Sequence, residues 1–359
     1  MIADPSSLFS NGSSAPGAAP RVKLAKSAPG GAGGGLGGLG GDLLAAAGAA
    51  FGAVQADPLT DALASLQLQL VAAPLLSSAR LRFLPRADFP SLATGDPITI
   101  SLSDGGDPVA VFAGTVASVS GRQGVLDVLL SGPAASLARQ RRNAGYENQS
   151  FSALLNTFAG EASIIVGDVD SGPDYAFFAI DDRLSLWEWI ARLARHADVP
   201  AWTDAQGRLN ARAPRGQPAA RFRWGETLLD LEATAHDAAT TAARIVGEGS
   251  AGRQGSDAWA WLAKDPQGVS AGAGGSASMQ NDGALRNLAA VAGAAAGSAP
   301  AADRVRITVP GAPAIDVASL FRLENCPGGQ GDGDWSAVEV RHRLGGGRGF
   351  VTEVVGVPA

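Results

Sequence analysis

Apolar and polar residues alternate in several short runs of this 359-residue chain, and a period of two indicates β-strands that bury one face. Leu66, Leu68 and Leu70 alternate with glutamines, and similar runs occupy residues 80–83 and 98–102. Turn-forming residues separate them at 85–88, 95–97, 104–108 and 121–124. With further strands predicted at 109–119 and 125–130, this density of short strands is typical of an antiparallel barrel or sandwich.

The period changes to that of a helix near the middle of the chain. Phe151, Leu154, Leu155 and Phe158 follow helical spacing, which predicts an amphipathic helix over residues 150–162. The pair Ser185 and Glu188 forms a capping box, so a second helix is expected to begin there. We expect two short strands between the helices, at 163–166 and 175–180, and a strand, glycine turn and strand over 200–210. These elements form a small α+β unit.

Strand signals resume after this unit. We predict strands at 242–246, 304–309, 337–344 and 349–357. In the third of these, Val338, Val340 and His342 alternate with charged residues that occupy the other face. The chain is therefore expected to be β-rich, then α+β, then β-rich.

Two stretches rich in glycine and alanine interrupt this order. Residues 1–56 are expected to be flexible apart from one possible strand at 21–25, and residues 30–55 are either a mobile loop that touches a partner or an insertion without fixed contacts. The second stretch, 268–302, is interpreted as an insertion with a short helix at 284–295. The chain has 48 Gly and 21 Pro, too many helix-interrupting residues for a mainly helical protein.

Charge and cysteine content exclude several classes of protein. The net charge of −6 argues against a protein that wraps nucleic acid electrostatically. Residues 1–6 do not resemble the start of a secretory signal, and the apolar stretch 43–54 is too short to cross a bilayer, so no membrane insertion is expected. Cys326 is the single cysteine, which rules out an intrachain disulfide and a thiolate zinc cage.

Isolated motifs do not combine into a catalytic, cofactor or metal site. Residues 247–252 (GEGSAG) fit a dinucleotide fingerprint, but a turn follows where a helix is required, so a glycine-rich hairpin is the preferred interpretation. His196 ends a predicted helix, where the helix dipole favours a cation, and His342 is expected to be a hydrogen-bonded core residue. His236 is the third histidine, and the three are too scattered for a metal site.

The acidic residues are also interpreted without a site. Asp168, Asp170 and Asp174 lack the glutamate that completes a calcium loop and are expected to lie in a solvated turn. Glu147 and Glu161 are too far apart in a helical interpretation to act as a glycosidase pair. The prediction is a protein without enzymatic activity, catalytic residues, metal or cofactor.

The order of the elements resembles the baseplate hub proteins of contractile tails, which include the late control protein D family of tailed phages and the hub portion of valine-glycine repeat protein G of type VI secretion. Four stretches carry the resemblance: residues 95–100 (GDPITI) with 111–116 (VFAGTV), 146–150 (YENQS), 184–194 (LSLWEWIARLA) with the 204–209 hairpin, and 335–344 (WSAVEVRHRL) with 349–352 (GFVT). Together they lie within residues 60–357.

The resemblance implies two antiparallel, tail-tube-like β-barrel domains, at 57–142 and 226–359, that flank an α+β domain at 143–225. It further implies a homotrimer whose six barrels form a ring between a hexameric tail tube and a trimeric spike. The expected partners are the tube protein, a separate spike protein, other baseplate proteins and possibly a tape measure protein, in a virion tail or injection particle assembled in the bacterial cytoplasm. No specific nucleic-acid recognition is expected.

Three alternatives stay open at this stage. The same fold could serve a protein-injecting machine of type VI or extracellular type. A β-rich cell-wall hydrolase would need paired carboxylates with displaced pKa values. A carbohydrate-binding module would need exposed aromatic rings among the seven tryptophans, for which a core position is the default.

Overall fold

The computed structural model describes residues 21–26, 57–234, 242–246, 269–271, 276–280, 283–285, 303–345 and 349–359. The predictions for residues 1–20, for the loop 30–55, for the motif 247–252 and for His236 lie outside the described residues.

The first β-rich segment contains six strands and one short helix. The strands are β1 (Arg21–Lys26), β2 (Leu63–Val71), β3 (Ser78–Phe83), β4 (Pro97–Ser103), β5 (Val109–Arg122) and β6 (Val125–Ser131), and helix α1 spans Pro58–Asp61. They pair in the antiparallel order β1–β4–β5–β6–β3–β2. The predicted alternation is confirmed, because Leu66, Leu68 and Leu70 are buried while Gln67 between them is exposed.

The middle unit packs three helices against small sheets. Its helices are α2 (Ala134–Arg139), α3 (Phe151–Glu161) and α4 (Leu186–His196), and its strands are β7 (Ala144–Ser150), β8 (Val166–Val169), β9 (Asp174–Ile180), β10 (Ala201–Thr203) and β11 (Leu209–Ala211). Ser150 caps α3, and Ser185 with Glu188 forms the predicted capping box of α4. Both predicted helices and the 200–210 hairpin are confirmed.

One strand of this unit was predicted three residues too early. The sequence favours a strand at 163–166, but β8 begins at Val166. Helix α3 ends with Ser163 at a positive φ of 55°, and the amide of Ile164 donates to the carbonyl of Ala159. These residues close the end of the helix, so they cannot pair in a sheet.

Six of the ten described strands of the second β-rich segment join the sheet of the first segment. It contains β12 (Ala220–Arg223), β13 (Asp230–Thr234), β14 (Ala242–Val246), β15 (Val269–Ala271), β16 (Ser276–Gln280), β17 (Gly283–Leu285), β18 (Arg304–Pro310), β19 (Leu320–Glu324), β20 (Gly333–Gly345) and β21 (Phe350–Pro358). Strands β20, β21, β18 and β13 pair in that order, and β19 joins β20 to β12. Strand β2 pairs with β20, with Leu68 opposite His342, so both segments belong to one twelve-stranded sheet.

The fold is β-rich with a large antiparallel sheet, as predicted. Among the described strands no pairing closes either half of that sheet, so the two β-barrels and the boundaries at 57–142, 143–225 and 226–359 stay predictions. Buried side chains from both β-rich segments form one hydrophobic core, which includes Leu68, Leu81, Val340 and Val354. The helices of the middle unit cover a second core.

The insertion 268–302 contributes strands in its described part. Strands β15 and β16 pair with β14, and β17 pairs with β9 of the middle unit. The helix predicted at 284–295 is wrong at its start, because residues 284 and 285 belong to β17. Pairing with an existing strand edge outweighs the helix preference of these residues. The remainder of that prediction lies outside the described part of the chain.

Candidate functional site

One face of the twelve-stranded sheet is polar and forms the candidate functional site. Because side chains alternate along each strand, the face opposite the core carries every second residue of β6, β3, β2, β20, β21, β18 and β13. One row across the sheet runs from strand to strand in register: Ser131, Ser78, Gln69, Arg341, Glu353, Thr308 and Asp230. We call this surface the polar face.

Ion pairs connect the charged side chains of the polar face. Arg341 Nε lies 2.6 Å from Glu339 Oε1, which also accepts a hydrogen bond of 2.9 Å from Gln69 Nε2. Arg343 Nη1 lies 2.6 Å from Glu353 Oε1 on the neighbouring strand. These contacts join β2, β20 and β21 laterally, at the junction of the two β-rich segments.

Two further ion pairs lie on either side of this junction. Arg82 of β3 donates two hydrogen bonds, of 3.0 and 3.3 Å, to the carboxylate of Asp127 on β6. Arg306 of β18 lies 3.8 Å from Glu232 of β13. Each pair joins residues that stand directly opposite each other on adjacent strands, the position at which opposite charges stabilise a sheet.

The outer strands of the sheet differ in their surroundings. On β1, the amide of Leu24 donates to Thr60 Oγ1 at 3.0 Å, and Thr60 in turn donates to Asp57, which caps α1. Helix α1 therefore covers part of this edge. At the other end of the path, most residues of β13 are exposed, and exposed Leu229 precedes it. Exposed strand edges are the usual sites of strand pairing between chains.

The two histidines in the described part of the chain are buried. His342 is completely buried with Nδ1 3.0 Å from Thr352 Oγ1, which confirms the predicted core role. The predicted cation at His196 is wrong: burial, together with Arg195 and Arg192, lowers the pKa of His196 to about 4, and its Nδ1 lies 3.1 Å from the hydroxyl of Tyr175. Desolvation outweighs the helix dipole here.

Two of the three aspartates considered for a calcium loop, Asp168 and Asp170, are paired with arginine. Asp168 and Asp170 both contact Arg215, whose guanidinium lowers the pKa of Asp168, and Arg212 lies 3.2 Å from Asp168. Asp168 and Asp170 are therefore held by ion pairs, which the expectation of a solvated turn did not include. No group of three metal-ligating residues occurs within the described ranges.

Glu147 and Glu161, the carboxylates considered for glycoside hydrolysis, lie in different surroundings. Glu161 forms an ion pair with Arg142, and Glu147 is exposed on β7. Asp316 is the carboxyl group in the described ranges with a raised pKa, about 7, because it is withdrawn from solvent; nearby Asp204 raises the pKa further and Arg212 opposes this. Its Oδ1 accepts a hydrogen bond from the amide of Val317, and its backbone carbonyl accepts one from the amide of Ser319, which closes a turn.

The remaining reactive and aromatic side chains are mostly buried. Burial, with Asp332 as hydrogen-bond partner, raises the pKa of Cys326 to about 11, which keeps the thiol protonated. The predicted core position is confirmed for four tryptophans, Trp187, Trp189, Trp202 and Trp335, which are buried. Trp224, in contrast, is 41% exposed. Trp259 and Trp261 lie outside the described residues. No helix within the described ranges is long and apolar enough to cross a membrane.

Two tail proteins of known structure share this fold, a large sheet with an α+β unit placed between its two halves along the chain. The 43 kDa tail protein of prophage MuSo2 from Shewanella oneidensis matches with a TM-score of 0.63 and 13% identity, covering 95% of this chain and 98% of that chain. A tail protein from Neisseria meningitidis MC58 matches with the same TM-score and identity, covering 82% and 92%.

The fold also occurs in a secretion component. The Escherichia coli c3393 protein, a component of the type VI secretion system with structural similarity to the T4 bacteriophage tail proteins gp27 and gp5, matches with a TM-score of 0.54 and 11% identity, covering 83% of this chain and 73% of that chain. No protein-family model and no curated protein matches the chain. At such low identities the likeness establishes the fold.

Proposed function

We propose that this chain is a structural baseplate hub of a phage tail or related contractile injection particle, in which it adapts a hexameric tail tube to a trimeric spike. The observation that carries the proposal is the twelve-stranded sheet, in which β2 and β20 unite two β-rich segments under one polar face. A rigid sheet of this width suits a scaffold, and the similarity to tail proteins over nearly the whole chain supports the same role.

In the proposed hub, the polar face lines a central passage and the apolar face forms the core. The paired charges of the polar face are hydrophilic, and Leu129 of β6 is an exposed apolar residue among them. Three copies would provide six β-rich segments, which matches the sixfold order of a tube and the threefold order of a spike. The partners are then further copies of this chain, the tube protein, a spike protein, other baseplate proteins and a tape measure protein.

The decisive experiment is the mass of the purified protein by light scattering, alone and with the spike protein encoded beside it. We expect three times the monomer mass of 36.0 kDa in at least one of these conditions, and rings in negative-stain micrographs. A monomer under both conditions would refute the hub. A matched measurement at high salt separates a specific trimer from weak electrostatic association.

A second candidate is the hub of a protein-injecting machine, which the similarity to the Escherichia coli type VI component favours. Neighbouring genes for a capsid and terminase would support a phage tail, and genes for an ATPase and toxins would support the injection machine. The role proposed in either case is structural and not enzymatic. Release of soluble fragments from purified peptidoglycan would instead support the hydrolase alternative.

A further inference from the structure

The polar face carries almost equal numbers of opposite charges. Its arginines number six and its carboxylates five: Arg80, Arg82, Arg304, Arg306, Arg341 and Arg343 against Asp127, Asp230, Glu232, Glu339 and Glu353. The polar face is therefore close to neutral, whereas the whole chain has a net charge of −6.

The arginines at the centre of the face are occupied by carboxylates of the same chain. A guanidinium binds phosphate through the same fork of N–H donors that it uses for a carboxylate. Arg341 Nε lies 2.6 Å from Glu339 and Arg343 Nη1 lies 2.6 Å from Glu353; the two acids are 21% and 23% exposed and the two arginines 42% and 45%. A phosphate group that reached these arginines would compete with a carboxylate already in place.

Two arginines of the face have no ion pair among the described residues. Arg80 lies on β3 and Arg304 on β18, and β2, β20 and β21 separate these strands. Four strand spacings correspond to about 19 Å. Two charges at this distance cannot hold one phosphate together.

We propose that Glu339 and Glu353 keep the central arginines from binding phosphate, so that a phosphate polymer such as duplex DNA moves along the polar face without being retained. The biological meaning of this inference rests on the proposed function, in which the polar face lines a passage. The molecular statement concerns the face itself: the carboxylates act as internal competitors for the phosphate backbone.

The test compares binding of a short fluorescent DNA duplex to the full chain by anisotropy. The wild-type protein and the control variant E147Q/E226Q, which changes the net charge equally at exposed positions away from the polar face, are expected not to bind measurably at 50 mM salt. The variant E339Q/E353Q is expected to bind. With two phosphate contacts, the logarithm of the affinity should fall with the logarithm of salt with a slope of about −1.8, or about twelvefold between 50 and 200 mM.

Two further variants test which side chains cause the new DNA binding. Adding R341Q/R343Q to E339Q/E353Q should abolish the new binding, because the arginines provide it. E232Q alters a carboxylate that is 68% exposed and therefore carries little risk for folding; it should release Arg306 and give a slope of about −0.9. Equal binding by E339Q/E353Q and E147Q/E226Q, or no gain of binding by E339Q/E353Q, would overturn the inference.

Light scattering on the same samples separates this inference from the proposed function. A trimer whose E339Q/E353Q form does not gain DNA binding leaves the hub intact and refutes the role of the carboxylates. If E339Q/E353Q gains DNA binding but the protein is a monomer both alone and with the spike protein, the hub is refuted and the inference about the polar face stands.

Discussion

Replacing His342 by glutamine should make the folded protein less sensitive to acid. His342 is completely buried, and desolvation lowers its pKa to about 4, against about 6.5 in the unfolded chain. Between these values the unfolded state binds more protons, so stability falls as the pH decreases from 6.5 towards 4. From pH 7.5 to pH 5 this amounts to about 2 kcal/mol for His342.

Two other groups contribute to the same interval. His196 has the same sign and a similar size, since its pKa is also lowered to about 4. Asp316 has the opposite sign: its pKa is raised to about 7, so the folded state takes up a proton first and gains stability as the pH falls. The measurement must therefore compare variant with wild type at both pH values, because the contributions of His196 and Asp316 then cancel.

The assay is urea unfolding followed by the fluorescence of the buried tryptophans at pH 7.5 and 5, at constant protein concentration. Glutamine remains neutral and can keep a hydrogen bond to Thr352. The difference in unfolding free energy between H342Q and wild type should shift by about 2 kcal/mol in favour of the variant at pH 5. A shift within about 0.5 kcal/mol of zero would refute a buried neutral imidazole.

Three other substitutions have defined outcomes. G311A should lower the unfolding free energy by about 1–3 kcal/mol, because a Cβ there would lie 2.0 Å from the Phe350 ring. G106A is the control: the atom nearest to its Cβ is 3.7 Å away, so it should lower the unfolding free energy much less in the same urea assay. The unfolding free energy of D316N relative to wild type should rise by about 2.5 kcal/mol on going from pH 5 to 7.5, since the charge that burial disfavours is removed; an unchanged difference would contradict the raised pKa. S185A should lower the unfolding free energy by about 1 kcal/mol through loss of the capping box of α4, and no loss would mean that the cap is dispensable.

The sequence predicts those elements whose signals are local. Alternating leucines locate β2, and the serine and glutamate of the capping box locate the start of α4, because neighbours within a few residues decide these structures. The displaced strand β8 shows the limit of this reasoning. A residue at positive φ after α3 decides where the helix ends, and alternation does not reveal that position.

The polar face was only partly predictable. The alternation around Val340 shows that Glu339, Arg341 and Arg343 share the face opposite the core. It does not show that Glu353 pairs with Arg343 or that Gln69 contacts Glu339, since register across strands depends on the fold of the whole chain. For the same reason, the pairing of β2 with β20 and the parallel pairing of β12 with β19 carry no sequence signal.

The pairing of β2 with β20 also has a consequence for how the chain folds during synthesis. The side chains of Gln69 and Glu339 meet although 270 positions separate them in sequence. Strand β2 must therefore wait for its partner until almost the whole chain has left the ribosome, with one edge exposed meanwhile. Because contacts of such long range form slowly, we expect slow folding and a need for protection of this edge in the nascent chain.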